Sequence, residues 1–355
     1  MKRAFPTDRA RIAVVALAAA LAPPLALSSR SSAAPQVRAP HQGSSLLPSS
    51  PPPPCPAEWV GLLGRYGNDT GPLVRERRGR LEVLLSGNDF EPLERVAADV
   101  FRSAGGRRVS FSRDSSGRAE RLVLDGAALA RLSDGTDGAV FRITPRRPVA
   151  ELRREALAAR PPAEPGPFRA VDLVDVATLD PTIRLDVRYA TSENFLGVPL
   201  YEEPRAFLQG PAAESLLAAH RALAARGYGL LIHDAYRPWW VTMVFWEATP
   251  PARREFVADP ARGSRHNRGC AVDLTLYSLA DGSAVEMPGV YDEMSERSYP
   301  DFPGGTSLQR WHRDLLRAAM EGQGFTVFES EWWHFDHRGW RRYPILNAPF
   351  DALAR

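Results

Sequence analysis

The chain has 355 residues, 44% of them hydrophobic, which is ample for packed cores and long enough for two domains with appendages. Its 45 Lys and Arg against 42 Asp and Glu leave a formal charge of +3, with arginine spread throughout, so no basic patch argues for a nucleic-acid partner. Cys55 and Cys270 are the whole cysteine complement and lie in different regions, which argues against a structural disulfide.

Residues 1–34 carry Lys2, Arg3, Arg9 and Arg11, then an apolar run over 12–27, then small residues around Ala33 and Ala34. That order predicts a cleaved signal peptide and an exported protein, periplasmic or secreted. Pro23 and Pro24 interrupt the run, which falls short of the about 20 residues a spanning helix needs, so no stable membrane span is expected. Residues 35–57 are rich in serine and proline and read as a semi-extended linker; Cys55 is too far from the apolar run to be a lipid-attachment site.

Over 58–147 the segments PLVRERRG, RLEVLLSG, RRVSFSRDSSG and ERLVLDG are short, alternating and broken by glycine and aspartate. They predict a small all-β, barrel-like domain, in which no catalytic set stands out. Residues 148–167 read as a helix followed by a proline-rich boundary. From 168 to 355 the expected order is a strand near Ile183–Arg188, a helix over Ala212–Arg226, a strand at Tyr228–His233, a helix after Pro238, a strand at Ala271–Leu276, a helix over Ser307–Glu321 and a strand bearing Glu331 and His334. Helices flanking a mainly antiparallel sheet make this region α+β.

Two segments carry chemistry: SRHNRGCAVDLTL at 264–276 and ESEWWHF at 329–335. His266, Asp273 and His334 supply two imidazoles and a carboxylate, the nitrogen and oxygen donors of a catalytic zinc site that keeps one position for water. Glu331 is better placed as the general base than as a fourth ligand. His266 and Asp273 are seven apart and would oppose one another on a regular strand, so His266 must sit in an irregular approach eased by Gly269. Glu331 and His334 are three apart on an aromatic, strand-favouring segment, which predicts a twisted or bulged strand end. Cys270 lies an odd number of positions from Asp273 and would point away from the ion. His233 reads as a core histidine bonded to backbone, His312 and His337 as surface or supporting groups, and the tryptophans as core and pocket wall.

These segments, with HDAYRP at 233–238 and DEMSERS at 292–298, resemble the D-alanyl-D-alanine dipeptidases related to the vancomycin-resistance enzyme of that activity. The resemblance runs from about residue 170 to about 345, with Ser-x-His-x-x-Gly-x-Ala-x-Asp kept at 264–273 and Glu-x-x-His at 331–334. It implies one Zn2+ per catalytic domain on His266, Asp273 and His334, Glu331 as base, and Arg237 stabilising the tetrahedral intermediate. It further implies Asp292 for the free ammonium of a small dipeptide substrate, with Ser264 and Tyr189 lining the pocket. A D,D-carboxypeptidase acting on stem peptides and a non-catalytic envelope binding module are the alternatives; oligomeric state is left open. The 58–147 region loosely resembles the β-barrel accessory modules of some serine hydrolases.

Overall fold

The computed structural model describes residues 47–353 apart from 134, 135, 138 and 139. The signal-peptide expectation for 1–34 and the first part of the 35–57 linker lie outside these residues. The described end of that linker is pinned rather than free. Leu47 packs on the C-terminal core, Arg226 donates to the Pro48 carbonyl at 2.8 Å and Trp311 to the Ser49 carbonyl at 2.9 Å. No helix among the described residues is long and apolar enough to cross a membrane.

After one helical turn, α1 (Ala57–Val60), the chain runs as an eight-stranded antiparallel meander. Its strands are β1 (Gly64–Arg65), β2 (Leu73–Glu76), β3 (Leu81–Leu84), β4 (Phe90–Ala97), β5 (Val100–Ser103), β6 (Arg108–Arg113), β7 (Ala119–Leu124) and β8 (Ala127–Ala130). Alternation drives it: in β3, Leu81 and Val83 are buried while Glu82 and Leu84 lie half-exposed. The sheet curls until its ends meet, Gly67 N donating to Ala130 O at 2.7 Å and Leu132 N to Arg65 O at 2.8 Å. Tyr66, Val83, Phe101, Val109, Phe111 and Leu122 fill the inside.

Two short strands, β9 (Thr136–Asp137) and β10 (Val140–Phe141), lead to α2 (Val149–Ala158). Segment 148–167 is more than a linker, because α2 buries Leu152 and Ala156 in a core shared with α4 (Trp239–Ala248). Further on, Glu164 pairs with the buried Arg268 and accepts from Ile345 N at 2.7 Å.

A two-stranded ladder joins β11 (Leu173–Asp175) to β13 (Phe207–Gln209). The main sheet of this region has five strands in the order β12 (Arg184–Leu185), β14 (Tyr228–Asp234), β15 (Ala271–Ser278), β17 (Glu331–His337), β16 (Phe325–Phe328), antiparallel except for β12 against β14. The whole is mixed α/β with mainly antiparallel sheets. Helices α3 (Gly210–Ala224) and α5 (Ser307–Glu321) share a core with Val272, Leu274 and Leu276 of β15. Since side chains alternate along a strand, Asp273 faces the opposite side, toward the second core that holds Tyr189, Phe195 and α4. The expected strand at Ile183–Arg188 shortens to Arg184–Leu185 because a 3-10 turn, Arg188–Ala190, takes over its end.

Candidate metal centre

Three strand ends of the five-stranded sheet build the site. Ahead of β15, a 3-10 turn at His266–Arg268 closes on Gly269, whose φ of +64° suits glycine and where a Cβ would meet the Leu173 side chain at 2.4 Å. This irregular approach turns His266 toward Asp273. In β17, Phe335 pairs with Val327 but Glu331 with the adjacent Phe328, so β17 carries three extra residues between the two pairings. That excursion brings Glu331 and His334 to the same side, with Glu331 Oε2 3.5 Å from His334 Nδ1. Asp273 and His334 sit opposite each other in the β15–β17 register.

The donor atoms form a tight triangle: His266 Nε2 to His334 Nδ1 is 3.1 Å, His334 Nδ1 to Asp273 Oδ1 3.0 Å, and His266 Nε2 to Asp273 Oδ1 3.3 Å. All three residues are buried, and they form a group able to hold a metal ion. Their outer atoms are already committed. His266 Nδ1 faces the Ala235 carbonyl at 2.6 Å and His334 Nε2 faces Asp336 Oδ1 at 2.9 Å. Each ring therefore spends its N–H outward and turns a lone pair inward. Asp273 Oδ1 is buried without a hydrogen bond, so three lone pairs converge on one point and a cation satisfies all of them.

Around the triangle, burial raises Glu331 to about 7, opposed by His334 and assisted by the charge of Asp273. Arg237, in the turn between β14 and α4, gives Nε to Asp234 Oδ2 at 2.8 Å and Nη2 to Asp273 Oδ2 at 3.5 Å. Its Nη1 has no hydrogen-bond partner among the described residues. Asp292 takes the Tyr189 hydroxyl on both carboxylate oxygens at 2.9 Å, and burial, then the charge of Asp273, pushes its carboxyl well above the usual range. Ser264 Oγ accepts from His266 N at 3.2 Å, so it steadies the ligand turn. These eight residues line one small cavity of about 90 Å³, walled by Phe256, Met294, Phe328 and Trp333. A roomier cavity of about 870 Å³ lies elsewhere, between the β1–β8 sheet and Pro288–Gln309, and contains none of them.

Sequence reading passed over three further groups. Asp234 is fully buried and anchors Arg237 while accepting the Tyr201 hydroxyl at 2.8 Å. Asp336 orients His334, and Tyr291 donates its hydroxyl to Asp273 Oδ2 at 3.1 Å. The His-x-Asp spacing was a visible signal for Asp336, since residues two apart share a strand face, and the Asp-x-x-Arg spacing placed Asp234 one turn from Arg237. Tyr291 had none. The remaining candidates fall outside the centre: the Cys270 thiol is buried, pushed up to about 12, and absent from the donor set. His233 contacts the Asp186 carbonyl at 3.2 Å and stacks on Tyr291, while His312 is buried against the Glu286 carbonyl rather than at the surface. His337 is also buried, on the far side of β17 beside Ser215.

Residues 169–350 match the family model described as D-ala-D-ala dipeptidase. A D-alanyl-D-alanine dipeptidase of Escherichia coli K12 is 36% identical over 182 residues, covering 51% of this chain and 93% of that protein. One from Enterococcus faecium is 38% identical over 187 residues, covering 48% and 91% respectively.

Proposed function

The chain belongs to the D-alanyl-D-alanine dipeptidase family of metallopeptidases, and on that premise we propose that it hydrolyses the free dipeptide D-Ala-D-Ala with one Zn2+ per catalytic domain, held by His266, Asp273 and His334, and with Glu331 as general base. The observation that carries this reading is the triangle of inward lone pairs with a carboxylate beside it. Its edges of 3.0–3.3 Å suit a tetrahedral ion with bonds of about 2.0 Å, and two imidazole nitrogens beside a carboxylate are zinc's donors rather than the all-oxygen shell that calcium takes. Zinc, when bound, supplies Lewis acidity that lowers the pKa of water and polarises the scissile carbonyl.

The chain's own groups account for the remaining work. Glu331 is desolvated, so its carboxylate is a better proton acceptor than one in water and can pass the proton to the leaving amine. Arg237 holds a permanent charge in a fixed orientation, with Nη1 available to the oxygen on which negative charge develops. Asp292 is a buried acid whose charge an arriving ammonium would relieve, with Tyr189 orienting its carboxylate. Ser264 and Tyr189 complete the pocket wall.

The cavity of about 90 Å³ is far below the roughly 300 Å³ and more of ordinary ligand sites, which favours a two-residue substrate over a stem peptide. Export to the periplasm or beyond rests on residues 1–34 alone. The test is alanine release by zinc-loaded protein from D-Ala-D-Ala, L-Ala-L-Ala and a pentapeptide ending in D-Ala-D-Ala. Release from the free D,D-dipeptide alone is expected. Cleavage of the pentapeptide would move the protein to the carboxypeptidase reading, and no cleavage at all would leave an envelope binding module.

A further inference from the structure

The β1–β8 sheet lies outside the matched residues, and the Escherichia coli relative, 93% covered by the match, has no length to spare for it. Yet this sheet grips the segment that presents Asp292. Arg65 of β1 forks onto Glu296, Nε to Oε1 at 2.6 Å and Nη2 to Oε2 at 2.5 Å, while its Nη1 is tied to the Gly71 carbonyl at 2.7 Å. Every arm of the guanidinium is thus in use, and the pair is mostly shielded at the arginine end, where the side chain is 12% exposed.

Glu296 belongs to a 3-10 turn, Glu296–Ser298, four residues beyond Asp292. The stretch between is stiff. Glu293 is fully buried, accepts from Val290 N at 3.0 Å and from Ser295 Oγ at 2.5 Å, and takes the Ser298 hydroxyl on its carbonyl. Asp292 itself sits at a φ of +60°, a conformation that a non-glycine residue holds only when its surroundings impose it. The far end of the same segment is held by β2 as well: Glu76 accepts from Ser307 N at 2.7 Å, Glu76 N donates to Gly305 O at 3.1 Å, and Arg310 donates to the Glu76 carbonyl at 2.7 Å. The stretch from Glu296 to Ser307 is therefore fastened to the accessory sheet at both ends.

We propose that Arg65 is a positioning residue for the dipeptidase site, the accessory sheet holding Asp292 in place for the substrate ammonium through the Arg65–Glu296 fork. This rests on the reading of Asp292 given above. The test compares D-Ala-D-Ala with its N-acetyl derivative, which lacks the ammonium, in full-length zinc-loaded protein. The variants are Arg65→Ala, the isosteric Glu296→Gln, the exchange Arg65→Glu with Glu296→Arg, and Asp292→Asn; Arg107→Ala, which removes an exposed ion pair of the same sheet, is the control.

For Arg65→Ala and Glu296→Gln the expected result is a rise in KM for the free dipeptide of about tenfold, kcat nearly unchanged, and a smaller preference over the N-acetyl form. The exchange variant restores part of both, and the control stays at wild type. A purely structural role would lower thermal stability without moving KM or the preference, and that outcome overturns the proposal. Loss of KM and preference in Asp292→Asn beside unaffected Arg65→Ala and Glu296→Gln overturns it alone; an unaffected Asp292→Asn removes the premise.

Discussion

The two sheets of this protein both cover apolar cores but differ in the polar side chains they bury. Inside the β1–β8 sheet the buried set is apolar, and its buried polar residues among those described are Ser103 and Glu76, the latter turned toward α5. The five-stranded sheet and its loops bury His266, Asp273, His334, Asp234, Arg237 and Asn267 within one neighbourhood. Burying so many ionisable groups costs several kcal/mol apiece unless each finds a partner. Here nearly every atom does, except the inward face of the triad, so the cost is concentrated where a cation and a substrate enter. Both sheets are held by apolar packing, and the five-stranded one adds a buried polar network with one face left unfilled.

That contrast can be broken by substitution. His334→Ala removes one corner of the triangle, and metal analysis should fall from one ion per chain to near none, with peptidase activity lost and the protein still folded. Phe101→Ala in the accessory sheet, where the ring is 2% exposed and packs edge-on against Phe111 at 5.8 Å, should cost about 3–5 kcal/mol in urea unfolding, while the folded fraction keeps its metal. Tyr291→Phe removes the hydroxyl that holds Asp273 Oδ2, and chelator competition should show metal affinity lowered by about 10- to 100-fold with little change in stability. Arg107→Ala, losing an ion pair whose members are 45% and 47% exposed, should leave melting temperature and kcat/KM at wild type. A large metal loss in Phe101→Ala, or none in Tyr291→Phe, would erase the distinction between the two regions.

The sequence made the donor residues legible because their chemistry is local: two imidazoles, a carboxylate and a second carboxylate sit in two short segments. The odd spacing of His266 and Asp273 even required the irregular approach that the 266–269 turn forms. Helix α5 was legible to its ends, since Thr306 and Gln309 form a capping box before an amphipathic run. The supporting groups were harder. Tyr291 reaches Asp273 across 18 positions, and Arg65 reaches Glu296 across 231, distances at which no periodicity carries information. Segment 148–167 looked like a linker because its prolines mark a boundary, whereas packing of Leu152 and Ala156 on α4 makes it part of the C-terminal body.

Whether Glu331 is base rather than ligand is decided by a paired measurement on Glu331→Gln: bound zinc per chain, and kcat for D-Ala-D-Ala. Zinc should stay at one per chain while kcat falls by about 10²- to 10⁴-fold, the contribution of a general base. Loss of zinc in this variant would make Glu331 a ligand, and an unchanged kcat would take the base away from the site altogether.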